Sequence, residues 1–83
     1  MTSLFPMFVK LEGRQVLVVG AGNVGEPKIA GLLETGAQIC VVALQANPKV
    51  REWAHGGQSQ LELRPFHPDD LKGAFLAVVA TSY

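Results

Sequence analysis

Residues 16–25 read Val-Leu-Val-Val-Gly-Ala-Gly-Asn-Val-Gly. Four β-favouring apolar residues run into Gly20-x-Gly22-x-x-Gly25, and a helical pattern follows. This spacing suits the binding of a dinucleotide. Gly20 lets the chain turn sharply off a strand. Gly22 carries no Cβ, so a pyrophosphate can approach the main chain. Gly25 lets the following helix lie close to the strand it has just left. The first amides of that helix have no intrahelical acceptor, and with the helix dipole they favour phosphate charge. Two alternatives share this signal: a glycine-rich turn that holds no ligand, and an adenosyl-methionine site built on a similar turn.

The end of the next strand bears on the choice of cofactor. A ribose-binding acid is expected about 20 residues after the first glycine. Ala43-Leu44-Gln45 stands there instead. The ribose hydroxyls must then use Gln45, Asn47 or backbone groups. After the second strand no Arg comes until Arg51, so a 2′-phosphate has no obvious clamp, and NAD is favoured over NADP. Thr81, at the end of the last strand, is a further candidate contact. The other polar residues make no catalytic constellation. His55 falls near a helix end, His67 begins a helical turn, Asp69 and Asp70 read as solvated, and Lys28 reads as a surface charge.

These residues need a strand–helix–strand frame. Pro6 prevents a helix around it, Met7-Phe8-Val9 reads as extended, and Glu12-Gly13 signals a turn. Residues 15–19 form a continuous apolar strand, as expected for a parallel strand covered on both faces. A helix from Asn23 presents Val24, Ile29, Leu32 and Leu33, tolerates Pro27 in its first turn, and stops at Gly36. Residues 37–43 form the second strand. Asn47-Pro48 caps and starts a second helix, which Gly56-Gly57 ends. Residues 61–64 alternate as an outer strand. Residues 67–71 form a capped turn, Gly73 stops it, and residues 75–80 form a fourth strand.

The class is therefore α/β, a Rossmann-like, partly doubly wound parallel sheet with strand order 3-2-1-4. Its switch point lies between the first and fourth strands, beside the glycine turn. Both helices cover one face, and only the turn at 68–72 is available for the other. The fourth strand is an open apolar edge, so the fold is expected to continue past Tyr83 or to meet a partner there.

At 83 residues the chain is one small domain, 48% hydrophobic and 17% charged. Seven basic residues balance seven acidic ones and are scattered, which gives no footprint for nucleic acid or an anionic membrane. No apolar run reaches the roughly 18–20 residues of a membrane span, and no signal-peptide pattern is present. A cytoplasmic location is expected. Cys40, the single cysteine, lies mid-strand and reads as a small buried thiol. No metal site is expected.

Pro6-Met7-Phe8-Val9-Lys10-Leu11-Glu12-Gly13-Arg14-Gln15 and the run through Val24 resemble the start of the N-terminal domain of siroheme synthase. That domain is a precorrin-2 dehydrogenase, often also a sirohydrochlorin ferrochelatase. Lys28, Leu32-Leu33, Gly36-Ala37, Val41-Val42-Ala43, Arg64-Pro65-Phe66, Asp70-Leu71 and residues 77–81 continue the resemblance over essentially the whole chain. It implies NAD at Gly20, Gly22, Asn23, Val24, Leu44 and Gln45, and it accounts for the missing second-strand acid, which the family also lacks. It implies hydride removal from precorrin-2, a tetrapyrrole, to give sirohydrochlorin, with iron insertion as a further step, in a homodimer when complete.

The chain departs from the family at Ala21 (usually Gly), Gly25 (usually Ala), Pro27 (commonly Arg) and Ser82-Tyr83 (usually an acidic pair). The family's catalytic aspartate lies beyond the point that corresponds to Tyr83. Residues 1–83 are thus expected to be the NAD-binding front of such an enzyme, truncated at the C-terminus. The alternative is a non-catalytic nucleotide-binding or regulatory module. A carboxylate base, from more chain or from a partner, distinguishes the two.

Overall fold

The structure is a computed structural model, and it describes residues 10–80. Strand β1 (Gln15–Ala21) leads into helix α1 (Gly25–Leu33). Strand β2 (Gln38–Ala46), helix α2 (Pro48–His55) and strand β3 (Gln60–Leu63) follow. A single 3-10 turn (Pro68–Leu71) precedes strand β4 (Leu76–Val79). The four strands form one parallel sheet in the order β3-β2-β1-β4. This is the order expected from right-handed crossovers and a reversal after the third strand.

Alternation along the strands divides the core. Val16 and Val18 of β1 and Ile39, Val41 and Ala43 of β2 point to one face. They meet Ile29 and Leu32 of α1 and Val50 of α2, so both helices do cover the same side. Leu17 and Val42 are also buried but lie outside that cluster, on the opposite face. At β4 this second face is open: Ala77 and Val79 are exposed, Val79 at 69%. Among the described residues, β4 pairs with β1 alone.

The element ends show local chemistry at work. α2 begins as expected: Asn47 Oδ1 accepts a hydrogen bond from the Val50 amide at 3.0 Å, and Pro48 occupies the first turn, where no amide is needed. Gly36 closes the α1 connection at φ 77°, a left-handed conformation that favours glycine. Several boundaries differ from expectation, among them β1, which runs on to Ala21, and β3, which is shifted one residue back to Gln60–Leu63. α1 starts at Gly25, not Asn23, because residues 22–24 are spent on the turn. Val24 accordingly does not join the helical core face and is 38% exposed. β2 continues to Ala46 although its last residues are not an apolar run, because the Asn47 amide donates to the Ala21 carbonyl at 3.0 Å. β4 itself is Leu76–Val79, but the Phe75 and Ala80 amides each donate to β1 carbonyls at 2.8 Å, which extends the ladder to the expected span. The expected extended piece at 6–9 lies outside the described residues.

Candidate functional site

The glycine turn forms where β1 and β2 lose register. Val19 pairs with Val42 and Ala21 pairs with Ala46. Gly20 alone on β1 therefore faces Ala43, Leu44 and Gln45 on β2. Gly20 has φ 112°, which a residue with a side chain would resist. The two surplus residues push the β2 backbone outward, and Leu44 is 72% exposed in consequence. Residues 44 and 45 are thus carried to the mouth of the turn by the sheet geometry itself.

The outer glycines of the turn behave as the sequence reading expects. A Cβ added at Gly25 would collide with the Gly20 carbonyl, lying 2.9 Å from its carbon, so Gly25 lets α1 start against the end of β1. A Cβ added at Gly22 would meet nothing within 4 Å. The approach to the Gly22 backbone is open. The N-cap of α1, Val24, has no side chain able to cap, but fewer first-turn amides are free than the sequence suggests: the Glu26 amide donates to the Gly22 carbonyl at 2.9 Å and Pro27 carries no N–H.

A cavity of about 420 Å³ opens over this turn. It brings together Gly20, Gly22, Asn23 and Val24 from the turn with Leu44 and Gln45 from β2. Ala80 closes the β4 side, and the segment Arg64-Pro65-Phe66 after β3 forms the far wall. Six of the expected contacts therefore share one hollow, at the C-terminal ends of the strands and the topological switch point, where α/β sheets bind ligands. Thr81 lies outside the described residues. A larger hollow of about 620 Å³ lies at the opposite ends of the strands, beside Gln15, Gln38 and the buried Ser59. It includes no residue of the glycine turn.

Two polar residues are placed differently from the sequence reading. Asn47, one of the alternatives for the ribose, does not line the cavity. Its Oδ1 caps α2, and its Nδ2 donates to Glu26 Oε1 at 2.6 Å, so both side-chain atoms are engaged. Asp70, expected to be solvated, has a side chain only 13% exposed. Its carboxylate accepts from Arg64 Nη1 at 2.9 Å, Arg64 Nη2 at 2.5 Å and the His67 amide at 2.8 Å. These bonds, Arg64 above all, hold its pKa down at about 2. His67 starts the 3-10 turn as expected, with Nδ1 accepting from the Asp69 amide at 3.0 Å. Asp69, His55 and Lys28 are exposed and lie outside the cavity.

Arg64 is the one charged side chain in the cavity lining, and sequence reasoning did not single it out for the site. Arg51, the first arginine after β2, is exposed and donates from Nε to the Ala46 carbonyl. Arg64 lies 20 residues beyond Leu44 in the chain, but parallel strands bring the ends of β2 and β3 to the same mouth. The arginine right after the last β3 residue was the available signal. Among the described residues no cluster of His, Cys, Asp or Glu could hold a metal ion.

The chain matches a profile for a family described as "Putative NAD(P)-binding" (NAD_binding_7) over residues 7–83. It belongs to this family. Its relatives include a precorrin-2 dehydrogenase from Priestia megaterium, 37% identical over 95% of this chain and 39% of that protein. Siroheme synthase 3 from Aeromonas hydrophila is 41% identical over 92% of this chain and 16% of its own length. A solved structure, of SirC, a precorrin-2 dehydrogenase, superposes with a TM-score of 0.88 at 36% identity, covering 96% of this chain and 40% of that one. The NAD(P)-binding chain thus spans about two fifths of the precorrin-2 dehydrogenases and one sixth of the siroheme synthase.

Proposed function

We propose that this chain is the NAD-binding part of a precorrin-2 dehydrogenase in siroheme biosynthesis. The observation that carries the reading is the cavity over the glycine turn, which joins residues 20, 22, 23, 24, 44 and 45 in a chain similar to precorrin-2 dehydrogenases over nearly its whole length. The site fits a dinucleotide. Its Gly22 backbone is open to close approach, and no side chain caps the N-terminus of α1. Bound NAD supplies a hydride acceptor for the oxidation of precorrin-2 to sirohydrochlorin.

The protein's own residues do the holding. The amides of the glycine turn and of Gly25, the first residue of α1, receive the pyrophosphate, and Gly22 leaves room for it. Leu44 and Gln45 border the adenosine ribose, because the ribose is held at the end of the second strand in this arrangement. Val24 and Phe66 supply apolar walls. None of the described residues in the cavity is a carboxylate or imidazole that could take a proton. The base, the tetrapyrrole cleft, any iron-chelating step and the homodimer contacts belong in this reading to the rest of such an enzyme, which is cytoplasmic.

Calorimetric titration with NAD of the protein and of Gly22→Val tests the reading. The added side chain enters open space, so folding is retained by circular dichroism, while NAD affinity falls by at least about tenfold, one lost charge-assisted contact. Equal NAD affinity in both proteins overturns the assignment.

A further inference from the structure

Arg64 follows β3, the strand beside β2, and is the charged residue nearest in kind to a clamp for a 2′-phosphate in the cavity lining. In dinucleotide sites an arginine near the end of the second strand accommodates that group. Arg64 lines the same cavity as Leu44 and Gln45. Its donors, however, are already taken. Nε donates to Glu62 Oε1 at 2.8 Å, Nη1 to Asp70 Oδ2 at 2.9 Å and to the Pro65 carbonyl at 3.1 Å, and Nη2 to Asp70 Oδ1 at 2.5 Å. A guanidinium has five N–H groups, so one is left. The charge is taken as well. Two carboxylates surround one guanidinium, and the group as a whole is net negative.

We propose that Glu62 and Asp70 withhold Arg64 from the ligand, and that this pair of carboxylates sets the site for NAD against NADP. The proposal rests on the nucleotide reading of the cavity given above. A 2′-phosphate would bring up to two further negative charges to a wall that is already net negative and offers a single N–H. NAD places only a ribose hydroxyl there, for which one donor suffices. Specificity of this kind comes from a cation that is present but occupied, and it works by disfavouring the wrong cofactor as much as by holding the right one.

Asp70 holds Arg64 end-on, through both Nη atoms, while Glu62 takes Nε. A bidentate carboxylate fixes the guanidinium plane and leaves it little freedom to swing toward a ligand. Glu62 lies on β3 and Asp70 in the 3-10 turn, so Arg64 is held from both sides of the connection that carries Pro65 and Phe66. Lys49 and Arg51 at the start of α2 do not line the cavity.

The test is a titration of NAD and of NADP against the full chain, followed as the ratio of the two affinities. The protein as it stands favours NAD. Glu62→Ala frees Nε–H and removes one negative charge, at an exposed position on an edge strand. It moves the ratio toward NADP by about tenfold, the worth of one charge-assisted hydrogen bond. Asp70→Asn moves it in the same direction. Arg64→Ala alone brings no such gain, and Glu62→Ala combined with Arg64→Ala abolishes it. An unchanged ratio in Glu62→Ala overturns the proposal. So does a gain that survives removal of Arg64, which would reflect diffuse charge and not this guanidinium. Failure of the unaltered protein to bind either nucleotide would instead overturn the reading of the site itself.

Discussion

Asn47 ties three elements together, and its replacement measures how firmly the mouth of the site is built. Its amide donates to Ala21 of β1, its Oδ1 caps α2, and its Nδ2 donates to Glu26 in the first turn of α1. Asn47→Ala loses the cap, about 1 kcal/mol, and a hydrogen bond to a charged group, about 1.5 kcal/mol when partly exposed. The expected loss is about 2.5 kcal/mol, or roughly 10–20 °C in Tm for a domain of this size. Asn47→Asp separates the two terms. An aspartate caps a helix as well as an asparagine does. It cannot donate to Glu26, and it sets a second carboxylate 2.6 Å away where the donor stood. Asn47→Asp should therefore lose about 1–2 kcal/mol at neutral pH. Adding Glu26→Gln restores a donor to the pair and should recover most of that loss. Urea unfolding of the four proteins is the assay. If Asn47→Asp is as stable as the parent, or if Glu26→Gln does not rescue it, the Asn47–Glu26 contact contributes nothing and the reasoning fails.

Two further outcomes follow from the other face of the sheet. Asp70 has its carboxyl held down at about 2, against an ordinary 3.8, chiefly by Arg64. The folded form is the stronger acid, so its contribution is complete above about pH 4 and is lost as pH falls through about 2. Asp70→Asn should be less stable at neutral pH and should lack that part of the acid transition, as followed by circular dichroism. Cys40 has its thiol pushed up by burial first, then by Glu62 and Asp70. Its alkylation by iodoacetamide near neutral pH should be several-fold slower than in the urea-unfolded chain. Equal rates would show that the sheet face over β2 is open.

Most of the frame was legible because its signals are local. Unbroken apolar runs marked the parallel strands, Asn47-Pro48 marked a helix start, and Gly36 marked a stop. The strand order followed from handedness alone. What stayed hidden depended on relations between strands. The loss of register at Gly20 has no sequence mark on β2, where Leu44 and Gln45 look like the residues after a strand and are in fact its bulge. Asp70 looked solvated because its neighbour Asp69 is, and its partner Arg64 lies six residues back, across a turn. Arg64 itself was overlooked because nearness along the chain stood in for nearness at the sheet end.

β1 lies at the centre of the sheet, and its two partners reach it at very different distances along the chain. Val16 pairs with Ile39 on one side and with Leu76 on the other. Closing the longer loop costs about 1 kcal/mol more in chain entropy. The β1–α1–β2 unit can therefore gather first, and β4 joins last. The cavity needs both partners, since Leu44 comes from the near one and Ala80 follows the far one. A growing or refolding chain would thus acquire its glycine turn early and its complete cavity only with β4, so that nucleotide capture reports the arrival of β4 and not the closing of the glycine turn.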